Sequence, residues 1–86
     1  MWDWDEDKRQ ANLVKHGVDF ALAAFFEWDS AKTEPDLRWN YGEERLESIG
    51  HIGERLYVLI HTPRGGSRRL ISLRKANARE VERWHT

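Results

Sequence analysis

The sequence predicts an α+β domain: an antiparallel β-meander with two N-terminal helices and one C-terminal helix packed on one face. Two patterns predict it. Apolar residues recur at helical spacing in the first third of the chain and again after Asn77, whereas from Arg45 to Arg74 the period changes to two. Length is the third observation. The 86 residues suffice for a single domain, 1–86, and a chain of this size buries only roughly 60 to 65% of its unfolded surface, which leaves little room for a large internal substrate cavity.

In chain order, Trp2-Asp3-Trp4 reads as a short strand. Asp5 then caps a helix that runs to His16, with Glu6 and Asp7 in the first turn, Lys15 and His16 in the last, and Gly17 placed to take the left-handed closing conformation. DFALAAFFEW forms a second short helix capped by Asp19. DSAKTEPDLRWNYGEE, polar and holding a proline and a glycine, reads as a loop that has room for a short strand. RLESIGHI, ERLYVLIHT and SRRLISLR are three strands, joined by a turn at Gly53 and by the Pro63-Arg64-Gly65-Gly66 connection. NAREVERWHT closes as a helix capped by Asn77, with Val81 and Trp84 on one face.

Charge separates along the chain. Residues 1–43 carry ten acidic and five basic side chains, and residues 44–86 carry five and nine, so the halves stand at −5 and +4 around a net charge of −1. Either the halves neutralise each other in the fold, or the basic half meets phosphates or a protein partner. No apolar run approaches the ~20 residues of a membrane span. The acidic start MWDWDEDK is unlike the basic and then apolar start of a secretory signal, so a cytoplasmic protein without a targeting segment is expected. With no cysteine and no ligand spacing among the four histidines, neither a metal nor another cofactor is expected.

If Pro63 to Gly66 is a four-residue connection, His61 stands opposite Arg68, Leu59 opposite Leu70, Tyr57 opposite Ser72 and Arg55 opposite Arg74. The other face, with Leu56, Val58, Ile60, Ile71 and Leu73, is then the bed for the helices, and Arg69 lies near its open end. A face that joins arginines, an imidazole and an aromatic ring suits RNA, because guanidinium groups bind phosphate bidentately and a ring stacks on a base. It also suits cleavage. His61 can move the proton, while Arg64, Arg74 and Lys75 stabilise the charge that grows on the phosphoryl oxygens. Arg55, Tyr57, Arg68, Arg69 and Lys75 are the expected RNA contacts. No fixed spacing compels catalysis, so a module that binds RNA or protein without cutting remains the alternative. His51 is expected in a turn and His85 at a frayed end. Trp28 and Trp39 flank the polar loop, where an exposed indole marks a protein interface.

WDEDKRQANLVKHGVDFALA resembles the opening of the BrnT family of bacterial type II toxin-antitoxin toxins, through Trp4, Asp5, Lys8, Asn12, Lys15, His16, Gly17, Val18 and Phe20. DLRWNYGEERLESIG and RRLISLRKANAREVERW resemble its later blocks, the second through Arg69, Ile71, Ser72, Arg74, Ala76, Glu80 and Arg83. The resemblance implies a RelE-like ribonuclease that cuts RNA without a metal and arrests translation. It also implies a ribbon-helix-helix antitoxin that neutralises the toxin and carries the complex to operator DNA. Lys15, His16, Arg45, Arg83 and Trp84 join the candidates on this ground. Leu73 stands where the family has a small alanine, and Trp84 where tyrosine is frequent, so a phenolic proton donor is lacking there. An inactive toxin kept as co-repressor is a further alternative.

Overall fold

The computed structural model describes residues 2–38 and 42–86; Trp39 lies outside them. Its elements are β1 (Trp2–Trp4), α1 (Glu6–His16), 3-10 helices at Phe20–Phe25 and Trp28–Ser30, β2 (Lys32–Pro35), β3 (Leu46–Ile52), β4 (Arg55–Arg64), β5 (Ser67–Lys75) and α2 (Ala78–Trp84). The strands form one sheet in the order β1-β5-β4-β3-β2. It is mixed rather than a pure meander, because β1 runs parallel to β5 while the other pairs are antiparallel.

Local signals place the helix ends. The Asp5 carboxylate accepts the backbone N–H groups of Asp7 and Lys8 at 2.8 and 3.2 Å, and Gly17, at φ 69°, closes α1 on the Leu13 carbonyl. Asp19 caps the next segment by accepting from Ala21, and this segment winds as a 3-10 helix rather than an α-helix. Arg9 ties the two together through Asp19, at 2.9 Å. The strand in the polar loop is β2, whose residues are all exposed at the sheet edge. There Pro35 costs no interior ladder bond, and Lys32 and Glu34 discourage pairing with another chain. Asn77 and Glu80 form a reciprocal capping box at the start of α2.

The layering departs from expectation. Val18, Phe20, Ala23 and Phe26 from the helical layer pack against Tyr57, Leu59, Leu70 and Leu73, so the helix-covered face of β4 is the one that holds Tyr57, Leu59 and His61. Leu56, Val58 and Ile60 point the other way and are buried as well. The helices do not share a face either. α2 lies against the second face, held by the Arg74–Glu80 ion pair and by the Trp84 ring set edge-on to His51 at 5.5 Å. His51 is thus a strand residue under α2, not a residue of an exposed turn.

Register explains the exchange. The β4–β5 hairpin turns on two residues, Gly65 and Gly66, with Arg64 paired to Ser67 and Gly65 at φ 55°. His61 then pairs with Leu70 and Leu59 with Leu73, because a bulge at Ile71 inserts one extra residue into β5. A bulge moves every later side chain to the opposite face. Arg68 therefore shares the helix-covered side with His61, whereas Ser72 and Arg74 emerge on the other.

Gly50, opposite Tyr57, leaves room for Phe26 to cross β3. A Cβ at this position would lie 2.7 Å from Phe26 Cζ and 3.1 Å from Ala31 Cβ. Gly50→Ala is expected to cost roughly 1–3 kcal/mol by overpacking, read as a lower urea midpoint at unchanged slope; a midpoint equal to that of the parent would show that the ring moves aside freely.

A basic pocket as the candidate active site

On the side that Ser72 and Arg74 reach, the last turn of α1, the loop after β2, the start of β3, and β4 and β5 enclose a cavity of about 260 Å³. Among the described residues Lys15, His16, Arg38, Arg45, Ile60, Ile71, Ser72 and Arg74 line it: five basic groups, one hydroxyl, an aliphatic floor and no carboxylate. Arg38 and Arg45 reach the same rim because the Asp36 N–H donates to the Arg45 carbonyl at 2.8 Å. Each arginine is oriented from behind by an acid. Arg38 pairs with the buried Asp36 at 2.8 Å, Arg45 with Glu43 at 3.3 Å, and Arg74 with both oxygens of Glu80 at 2.8 and 2.9 Å. Arg74 has five N–H donors in a rigid fork, of which Glu80 and the Lys75 carbonyl take three, so two are left for phosphate.

Electrostatics gives the groups different proton affinities. Glu80 raises the Arg74 pKa above its already high value, which keeps the guanidinium charged. Burial, and then the positive charges of Lys15 and Arg74, lower the His16 pKa below the ordinary imidazole value. His16 is thereby favoured as the neutral base at neutral pH.

The sequence-expected site is divided by the sheet. His61 is 1% exposed and lies in the helix-covered interior, its Nε2 2.8 Å from the Ser48 hydroxyl and its ring edge-on to Trp2 and Trp28, each at 5.6 Å. Burial, with Arg68 adding to it, lowers its pKa to about 4. It is a core imidazole, and the expectation that it meets RNA is corrected on that ground. Tyr57 is buried in the same core, and Arg68 covers the Trp28 ring at 4.5 Å. Arg64 is exposed next to the hairpin turn, Arg69 is paired to Asp3 at 3.2 Å, and Lys75 is exposed at the end of β5. Arg55 lines a separate groove beside α2 with His51 and Val81.

Of the expected catalytic set only Arg74 lines the basic pocket, where Lys15, His16 and Arg45 join it. Arg83 and Trp84 line a neighbouring groove, which meets the pocket at the Arg74–Glu80 pair. Arg38 was missed because it sits in a loop with no periodicity; its place just after Asp36, within the block that carried the resemblance, was the available signal.

The lining gives this open cavity the positive potential that attracts phosphate groups. The model of the BrnT family, ribonuclease toxins of type II toxin-antitoxin systems, matches residues 4–80. The chain belongs to that family. It is accordingly a type II toxin with ribonuclease activity, RNA as its substrate and an antitoxin as its partner. Among the curated proteins none matches it. No described helix is long and apolar enough to cross a membrane.

Proposed function

We propose that the basic pocket cuts RNA by internal transesterification without a metal ion. One observation carries the reading: five basic groups from four segments of the chain converge on one cavity whose described lining holds no carboxylate. His16, kept neutral by its surroundings, accepts the 2′-hydroxyl proton. The 2′-oxygen attacks phosphorus, the bond from phosphorus to the 5′-oxygen breaks, and Arg38, Arg45 and Arg74 stabilise the charge on the non-bridging oxygens. Lys15 is assigned the proton for the leaving 5′-oxygen, since guanidinium holds its protons too tightly to give one up. Arg83 and Trp84 extend the track to a flanking nucleotide.

The toxin acts as a single domain in the cytoplasm and arrests translation. Its antitoxin is of the ribbon-helix-helix type, covers the pocket with an acidic or amphipathic segment, and carries the complex to operator DNA. The test is incubation of antitoxin-free protein with labelled RNA in excess EDTA, alone and with translating ribosomes. Products ending in a 2′,3′-cyclic phosphate and a 5′-hydroxyl are expected. RNA left intact in both incubations, or cut only after Mg²⁺ is restored, would overturn the mechanism.

A further inference from the structure

β1 pairs with β5 only from Arg68 to Leu70 and then leaves for α1, so Leu73 has no strand beside it on that edge. Asn12 fills the place. Its side chain, buried on α1, donates from Nδ2 to the Leu73 carbonyl at 2.7 Å and to the Val18 carbonyl at 3.1 Å. Its Oδ1 accepts from the Leu73 N–H at 3.2 Å and from the Ser72 hydroxyl at 3.4 Å. A carboxamide is a peptide group in miniature, and here it pairs both polar groups of Leu73 as one more strand residue would, with its two donors and two acceptor positions all used.

The pocket is assembled around this junction. Lys15 and His16 lie three and four residues beyond Asn12, on the same face of α1. Ser72 precedes Leu73 and Arg74 follows it, just past the bulge. One side chain thus joins the two halves of the cavity. Asparagine is a poor helix former, and an aliphatic residue here would leave the Leu73 and Val18 groups unpaired.

We infer that Asn12 is a positioning residue of the ribonuclease site: it sets the last turn of α1 against the β5 bulge so that Lys15 and His16 stand over Ser72 and Arg74, and it orients the Ser72 hydroxyl. The inference rests on the reading of the basic pocket as the cleavage site. The test compares Asn12→Ala, Asn12→Asp and Arg74→Ala under conditions in which the parent cuts RNA, with circular dichroism reporting the fold.

Asn12→Ala is expected to lower kcat by about 10²-fold while KM stays within about threefold, because the cations still draw in RNA but the proton-moving groups are misplaced. In the same variant the His16 imidazole, followed by NMR, titrates closer to its ordinary value as it becomes more exposed and moves away from Arg74. A folded variant with parental kcat overturns the inference. Should Asn12→Ala fail to fold, Asn12→Asp keeps the size and both accepting contacts but replaces the donors by a carboxylate oxygen facing the Leu73 and Val18 carbonyls; parental kcat in that variant overturns the inference equally. If Arg74→Ala cuts RNA normally, the pocket reading itself falls and this inference with it, whereas an inactive Arg74→Ala beside active Asn12 variants removes the positioning role alone.

Discussion

Arg74→Ala is expected to lower the rate of RNA cleavage by about 10²–10³-fold, the usual loss when one preorganised stabiliser of transition-state charge is removed. Arg74 has three features that bear on the reaction. It lines the cavity, its fork is fixed by both oxygens of Glu80, and its charge helps to keep His16 neutral. The same substitution leaves the Glu80 carboxylate, only 11% exposed, with the Asn77 N–H but without its guanidinium partner, so stability should fall by roughly 1–3 kcal/mol and α2 should loosen. Arg74→Lys separates the two effects, for it restores the charge without the fork. Cleavage rates of purified variants, with hydrogen exchange on α2 beside them, give both readings. Parental cleavage by Arg74→Ala would remove the pocket from consideration as the active site.

Stability is expected to fall as the solution is acidified from about pH 6.5 to about pH 4, before most carboxylates titrate, and His61 is the cause. Its folded pKa is lowered from 6.5 to about 4 by burial and by Arg68, so the native state resists a proton that the unfolded chain accepts. The sign follows from linkage. Above pH 6.5 neither state is protonated and the group is neutral to stability; below it the unfolded state gains protons, and the cost grows to about 3 kcal/mol by pH 4. Further down, Glu80 and Asp19, whose pKa values are lowered chiefly by Arg74 and Arg9, lose stabilising pairs as they protonate. Urea unfolding across this range measures the first step, and His61→Gln should flatten it at some general cost in packing. An unchanged slope in that variant would assign the step to another group. Because His61 lies in the core, RNA cleavage measured well within the stable range should not follow its titration.

Much of the local structure was legible because it is set by neighbours in sequence. Asp5, Gly17, Asp19 and Asn77 each satisfy or release a backbone group within four residues of themselves, so residue type and position are enough to place the ends of α1 and α2 and the start of the 3-10 segment. Gly53 likewise marks the β3–β4 turn, at φ 62°. The basic character of the second half and the motif blocks pointed to RNA and to the family, and they brought Arg74, Lys15, His16 and Arg45 into the candidate set.

The faces of the sheet were not legible. Leu56, Tyr57, Val58, Leu59 and Ile60 are all buried, so β4 is apolar on both sides, and a period of two does not say which side takes α1. Pro63 to Gly66 reads in the sequence as a four-residue connection, whereas the chain turns on Gly65 and Gly66 alone, and no local feature of SRRLISLR announces the bulge at Ile71. That single extra residue sends His61 and Arg74 to opposite faces and so decides which imidazole shares a cavity with the arginines. His16 shares it, since α1 docks where Asn12 completes the β5 ladder. Sequence by itself determined the caps and the strand-rich second half, because those follow from backbone bonding and composition over a few residues, and its motif blocks carried the family. Only the tertiary structure decided the face, the register and the membership of the pocket, because these depend on hydrogen bonds and packing between residues as far apart as Asn12 and Leu73.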